Sequence, residues 1–485
     1  MKNKRTLIVF FLTNSFVLIL FVITFAVSME YEQNKERNSS SNGQVERNVI
    51  YTDIEEFSRI PVMEGNDIKY GEPADYGDEH YVVDVEGTTT QEYLTYLELL
   101  ERNSFIKHSD NGECAMEGYV MTTSFTKNEL TVTVSHVIKQ NKTYISVTSN
   151  LKLSEYLMYT DSFLKNKNEK QVTKFHNLEL NNNGNGFIFE LKNGHFVIFD
   201  GGSTNDTPYF WDYLISLVPE GEKPIIEGWF ISHAHDDHYG VLLDFASQSK
   251  YKNNIIIDGI YFCEPTDDFV KTTNYSEKGE MLTLKIVKSV FDAQDGGRCG
   301  YYRPQLGQRY YFCDIYIDVC LTPEQFPLDS YIGHDFNDTS IWLMVNIEGQ
   351  KMLVGGDTSH TGMRTAMKMY DKKYFTVDIY VAFHHGINVY DYWTDYITFD
   401  TLIYPSYRDG SITNPEGEYA AIEENKYLQS KAKEYYSRKN GTVVLSFPYE
   451  IGTAVILDKC NWDYNANRKP IREHGEKWEI IDENM

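Results

Sequence analysis

The stretch Ile231–Gly240, ISHAHDDHYG, holds three of the chain's 13 histidines beside two aspartates. Imidazole and carboxylate at this density suit a divalent metal, zinc first, with manganese or iron as alternatives. In an extended or tightly turning segment, side chains two residues apart reach the same side, so His233 and His235 suit one ion. Asp237 and His238 follow after the backbone turns and are placed for a second ion or for the far side of the first. A merely solvated polar loop would call for no distant partners. Further potential ligands nevertheless close other apolar runs: Asp200 after HFVIF, Asp357 after KMLVGG, His384 and His385 after DIYVAF, and the region of Asn337. Metal-assisted hydrolysis is the chemistry such a set performs, with Asp237 and Asp200 as the catalytic candidates and Asp237 as the proton acceptor.

These side chains need a rigid frame, and from Lys174 onward the chain alternates strand and helix patterns. GFIFEL and HFVIFDGG read as a hairpin around Lys192–Gly194, while PIIEGWFIS carries the chain into the histidine cluster. IIIDGIYF reads as one buried strand, followed by a helix from Glu280 to about Gln294. TSIWLMVNIEGQKMLVGGD is a second hairpin, turning at Glu348–Gln350. VDIYVAFHHG, DTLIYPS, a helix from about Ile422 to Arg438 and the strand TVVLSF complete the pattern. Adjacent residues at a strand end face opposite ways, so one of His384 and His385 is expected to ligate while its neighbour contacts substrate or packs. His385 is preferred because Gly386 lets the backbone turn away, and His384 is the alternative.

The run SHAHDDHYG resembles the HxHxDH signature of the metallo-β-lactamase superfamily, and FDGG, GGD and HHG come in that family's order across Lys174–Lys459. The resemblance implies an αββα sandwich, two mixed sheets face to face with helices outside, holding two metals at one edge. It assigns His233, His235, Asp237, His238, Asp357 and His385 as ligands, Asp357 bridging the two metals, and Asp200 as the group that orients the metal-binding loop. One motif departs. Where a third histidine is usual for the first metal, this chain has GHDFNDTSI, leaving Asn337 or His334 to complete the site. The pattern of Asn337, Ser340 and Ile341 is more similar to the hydrolase domain of bacterial competence DNA-uptake proteins, which favours a phosphodiester substrate. The HHG ending is shared with teichoic-acid phosphorylcholine esterases. A metal-bearing sensor or binding protein that has lost turnover is the competing reading, prompted by the missing histidine.

Around this hydrolase domain, expected over 170–460, the sequence suggests four further segments. Leu7–Val27 is uncharged, long enough to cross a bilayer and preceded by Lys2, Lys4 and Arg5, so 1–29 is read as a transmembrane anchor with the rest of the chain outside. A cleaved secretory signal, cut near Ala26 and Ser28, is the alternative. Polar residues rich in Asn, Ser and Glu make 30–65 a flexible tether. A small α+β module follows over 66–165, with strands at Tyr81–Val85, Tyr119–Phe125, Glu129–Val137 and Thr143–Thr148 and a helix opened by Thr88–Thr90. Residues 461–485 read as a surface extension.

A chain of 485 residues divides most naturally into more than one folded unit, and 41% hydrophobic residues suffice for real cores. With 45 basic and 71 acidic residues the formal charge is −26, which opposes attraction to nucleic acid, while a site facing outward from a membrane tether suggests a small-molecule or envelope-polymer substrate. Six cysteines without a CxxC pair argue against a thiolate zinc site and fit buried free thiols as well as disulfides. The run GYYRPQLGQRYYF, Gly300–Phe312, reads as a strand of packed tyrosines or as an aromatic surface for a choline-like cation.

Overall fold

A computed structural model describes residues 54–111, 116–159, 171–180, 184–266, 269–270, 287, 289–290, 299–326, 336–387, 389–405, 423–436, 441–457 and 480–481. The apolar run Leu7–Val27, the tether up to Asp53, His334, Cys114, Cys460 and nearly all of the helix expected over Glu280–Gln294 lie outside the described residues. Among the described residues no helix is long and apolar enough to cross a membrane. The chain divides into Met1–Arg59, of which the short helix Glu55–Ser58 is described, and Ile60–Met485, which holds everything below.

Two mixed sheets build the sandwich. In the first, Phe196–Asp200 lies between its hairpin partner Gly186–Glu190 and the parallel strand Ile225–Ile231. In the second, the hairpin Trp342–Ile347 and Gln350–Val354 continues through the parallel strands Ile379–Val381 and Thr401–Ile403. Alternation along each strand loads both faces. Val197, Phe199 and Phe230 point between the sheets toward Ile317, Leu343 and Val345. Phe196, Ile198, Trp229 and Ile231 belong to the other core, which also takes Tyr209, Phe210 and Leu214 of the helix Thr207–Ser216. Gly228 leaves room for Phe312 between the sheets, since a Cβ there would lie 2.9 Å from Cζ of Phe312.

Two expected elements differ. The strand IIIDGIYF is split at Asp258 into Ile256–Ile257 and Gly259–Phe262, while the Asp258 amide still donates to Ile226 O (2.8 Å) of the neighbouring strand. The helix expected to reach Arg438 runs over Glu423–Lys431. Glu434–Tyr436 instead adds a parallel strand beside Thr401–Ile403, where paired tyrosines gain a ladder that a helix end would not give them. The tyrosine-rich run supplies the strands Gly300–Tyr302 and Arg309–Phe312, one to each sheet, with Tyr310 and Phe312 inside the sandwich core. Cys263, Cys299, Cys313 and Cys320 are buried free thiols.

Between Lys69 and Thr148 the chain forms a third sheet of seven strands. Its helix, Thr90–Arg102, opens with a capping box from Thr89 and Glu92 and buries Tyr93, Tyr96, Leu97 and Leu100. The strand Leu130–Val137 alternates apolar and polar residues, a pattern for one wet face, yet all eight positions are buried. Its polar side is covered by the sandwich segment Leu306–Gln308. Thr122 Oγ1 and Ser135 Oγ donate to Leu306 O (2.9 and 2.7 Å), and Asn111 Nδ2 donates to Gly307 O (3.0 Å). Gly307 sits at φ +78°, and a Cβ there would meet Thr122 Oγ1 at 2.0 Å. The small module is thus docked by hydrogen bonds that water cannot replace. Asn111 also donates to Val120 O and accepts from the Thr122 amide. Asn111→Ala should therefore cost about 2–3 kcal/mol in urea unfolding, the penalty of stranded buried polar groups. An unchanged midpoint would mean that this junction carries no stability.

Candidate metal centre

The sandwich brings the carboxyl ends of two parallel strand pairs, one pair from each sheet, to the same edge. This is where open α/β sheets leave a crevice. From the first sheet, Phe196–Asp200 delivers Asp200, and Ile225–Ile231 delivers Ser232 and the histidine cluster. From the second, Gln350–Val354 leads to Asp357, and Ile379–Val381 leads to His384 and His385. A bond from Ile341 joins the two sets, and two further bonds brace the second. Ile341 N donates to Ser232 O (3.1 Å), Asp357 N to Ser340 Oγ (3.2 Å), and His384 N to Gly356 O (3.0 Å). Gly356 must lack a side chain, since it has φ +52° and a Cβ would sit 2.6 Å from that of Ser232.

His235 is the N-cap of the helix Asp236–Ser247, so Asp237 and His238 lie in its first turn, with Asp237 where a negative charge is favourable. Asp237, His238, Asp357 and His385 each offer a ligand atom, all within 4.8 Å of one another. Asp357 is the hub. Its Oδ2 lies 2.9 Å from His385 Nε2, 3.3 Å from His238 Nε2 and 3.6 Å from His384 Nε2. His385 Nε2 is 3.7 Å from Asp237 Oδ2. Beside this group, His233 Nε2 and His235 Nδ1 approach to 2.9 Å, two nitrogens converging as one ion would require. Asn337 is buried in the 3-10 turn Phe336–Thr339, whose Phe336 ring stands edge-on to His235 (5.6 Å). His334 lies outside the described residues.

Strand alternation does not separate His384 from His385, although His385 is the one that joins the converging ligand group. Both adopt left-handed backbone (φ 50° and 55°) with Gly386 at φ 79°, so they belong to a tight turn in which strand alternation no longer applies, and both rings face Asp357. Asn425 secures the turn by donating to Gly386 O (2.6 Å), and is itself held by the Tyr404 hydroxyl (3.1 Å).

Asp200, expected among the catalytic groups, is a positioning residue. It is 1% exposed, has left-handed backbone (φ 54°) and touches the site only through other side chains. Its Oδ1 accepts from the Ser232 amide (2.7 Å), and its Oδ2 accepts from Ser232 Oγ (2.9 Å) and from Asn185 Nδ2 (3.3 Å). The same Oδ2 lies 2.8 Å from His238 Nδ1. Ser232, unremarked in the sequence, also reaches His233 Nδ1 (3.0 Å). A serine directly before the first histidine was the only signal for it.

Electrostatics fit a cation. Burial raises the Asp237 pKa, partly offset by His238 and His385. For Asp357, burial works to raise the pKa, but His385, His238 and His384 outweigh it and hold the carboxyl well below its usual range. Burial pulls His238 down, yet Asp357, Asp200 and Asp237 together push it well above an ordinary histidine. His233 is depressed by burial and by its neighbours His238 and His235. Two carboxylates this close need positive charge, and Asp357 Oδ1 is buried with no hydrogen-bond partner. Nitrogen and carboxylate donors of this set fit zinc or a similar divalent ion. With Nδ1 directed to Asp200, His238 presents Nε2 to the cluster, where a metal takes the place of a proton.

Residues 181–369 match the family model of the metallo-beta-lactamase superfamily, a stretch that includes Asp357 and ends before His384 and His385. That stretch is therefore similar to the metallo-beta-lactamase superfamily. Among solved structures, the chain is similar to the metallo-beta-lactamase fold protein YhfI from Bacillus subtilis, at 13% identity, covering 56% of this chain and 99% of that one, with a TM-score of 0.34. It is also similar to Tm1679, a metal-dependent hydrolase of the beta-lactamase superfamily, at 12% identity, covering 55% and 95%, with a TM-score of 0.31. A third is CmlA, a diiron beta-hydroxylase from Streptomyces venezuelae, at 10% identity, covering 74% and 82%, with a TM-score of 0.32. No curated protein matches by sequence.

Two outcomes follow from this geometry. Asp200→Asn keeps every ligand but should weaken metal retention against a chelator about 10–100-fold, as loss of an orienting carboxylate does. Because the raised His238 pKa leaves a proton on the ligand near neutrality, metal must expel it. Affinity should therefore fall as pH is lowered from about 8 to about 6. Calorimetry in buffers of differing ionisation enthalpy reads the proton released, and zero release would contradict a protonated His238.

Proposed function

We propose that the chain is a metal-dependent hydrolase that cleaves a phosphodiester outside the cell membrane. The convergence of Asp237, His238, Asp357 and His385 within 4.8 Å is the observation that carries the hydrolase reading. Held by these residues together with His233 and His235, two divalent ions, zinc in the first place, would supply Lewis acidity toward a phosphoryl oxygen and lower the pKa of water toward ~7.

The protein's own groups set the rest. Asp237 has a side chain 26% exposed, the most open carboxylate of the cluster, so it can accept a proton from the attacking water and pass it to solvent. Burial raises its pKa, which improves it as a base near neutrality. Asp357 and the Asp200–Ser232 pair do not exchange protons with solvent, being buried, and they fix the geometry. His384, with a side chain 17% exposed, is the histidine of its pair able to meet a substrate oxygen.

The preference for a phosphodiester rests on the likeness of Asn337, Ser340 and Ile341 to the competence-type motif, and the extracellular placement rests on Leu7–Val27. An envelope polymer suits both, and the −26 charge disfavours nucleic acid. The sensor reading gains nothing from the geometry, since the second ligand group is whole.

Purified chain should hydrolyse chromogenic phosphodiesters faster than phosphomonoesters, carboxylic esters or β-lactams. A chelator should abolish turnover and added zinc or manganese restore it, while Asp357→Asn should lower kcat at least about 100-fold. A preference for lactams or esters would overturn the substrate class, and activity that survives full metal removal would overturn the mechanism.

A further inference from the structure

The three segments that supply Asn337, Asp357 and His385 converge again a few residues later. Ser359, two residues past Asp357, caps the helix His360–Met369 and donates from Oγ to Asp338, the neighbour of Asn337. His360, the first residue of that helix, sets its ring 6.2 Å from Tyr390, five residues past His385. Tyr390 stacks on Tyr392 (5.5 Å, 23°), and the guanidinium of Arg364 lies 5.6 Å from the centre of the Tyr392 ring. Arg364, one helical turn beyond His360, is exposed, and both tyrosines are half-buried.

What sets Arg364 apart is its company. From residue 60 onward the described arginines are Arg102, Arg303, Arg309 and Arg364. The first three hold carboxylates: Arg102 with Glu98 (2.9 Å), Arg303 with Glu324 (2.7 Å) and Arg309 with Asp318 (2.6 Å). Arg364 forms no ion pair among the described residues, in a chain where acids outnumber bases by 71 to 45. Leaving it unpaired against that excess preserves a planar fork of donors, the geometry that suits phosphate oxygens. The Tyr392 ring supports one side of that fork, which reduces the entropy lost when an anion binds. Two acids flank this rim, Asp338, which is buried and engaged by Ser359, and Asp391, which is exposed between Tyr390 and Tyr392, and neither forms an ion pair with Arg364.

We propose that Arg364, backed by Tyr390 and Tyr392, is an anion-binding subsite that holds a phosphate group of the substrate beside the metal cluster. This is a specificity-determining role that rests on the phosphodiesterase reading above. A substrate bearing a second phosphate next to the scissile diester, as a phosphate-linked polymer does, would engage metal cluster and Arg364 together. The subsite also supplies local positive charge that a chain of −26 otherwise denies a polyanion.

Two measurements on the full chain test this. The first titrates phenyl phosphate into chelator-treated protein by calorimetry. Binding should be saturable, at least about five-fold weaker in Arg364→Gln and intermediate in Arg364→Lys. Equal binding in all three proteins, or none in any, overturns the subsite. The second compares metal-loaded wild type and Arg364→Gln on two p-nitrophenyl phosphodiesters that differ by one extra phosphate. The preference in kcat/KM for the more anionic substrate should fall roughly ten-fold, mostly through KM. Diester hydrolysis with unchanged preference overturns the subsite and leaves the hydrolase standing. Phenyl phosphate binding through Arg364 without hydrolysis of any diester overturns the hydrolase and leaves the anion site.

Discussion

One buried carboxylate holds the metal centre in register. Asp200 ends its strand in left-handed backbone and spends both oxygens on the first sheet's other contribution, the Ser232 amide, the Ser232 hydroxyl and His238 Nδ1. Such a conformation costs about 1–3 kcal/mol at a residue other than glycine and persists where the surroundings over-determine it. The surroundings here are the parallel strands on either side of the crevice, and the Trp229 indole, which donates to Asp200 O (2.9 Å). Remove the carboxylate, and the loop carrying His233, His235 and His238 loses the contact that aims it across the edge toward Asp357.

That edge explains why the sandwich is built from chemically different halves. The first sheet presents histidines at the start of a helix, and the second presents Asp357 and the His384–His385 turn. Neither set is complete alone, and the joints between them are small: Gly356 against Ser232, and the Ile341 amide to Ser232 O. Close approach of backbone requires glycine and serine at these joints, so bulk there would open the site without touching a ligand. The centre therefore depends on how closely the sheets approach, with Phe312 packed against Gly228 in the core between them.

Much of this was legible because metal ligands are scarce residue types at strand ends, and His233, His235, Asp237, His238 and Asp357 stand out in any reading of the chain. The strands themselves are marked by β-branched and aromatic runs bounded by glycine. Features that depend on tertiary contact were not legible. The polar positions of Leu130–Val137 are buried only because Leu306–Gln308 covers them. Glu434–Tyr436 carries a helix-compatible pattern and joins a sheet because an edge is available beside Thr401–Ile403. The His384–His385 pair defied alternation because its backbone leaves the extended region altogether. Arg364 sits in a helix of ordinary composition and becomes distinctive only through the acids it lacks.

Histidine nitrogens and aspartate oxygens from both sheets would share the metal. Zinc X-ray absorption on the purified chain tests this most directly. The account predicts a first shell of nitrogen and oxygen only, at about 2.0–2.1 Å, with the outer-shell scattering of several imidazoles. A sulfur shell near about 2.3 Å, or a first shell without imidazole, would place the metal elsewhere in the chain and contradict it.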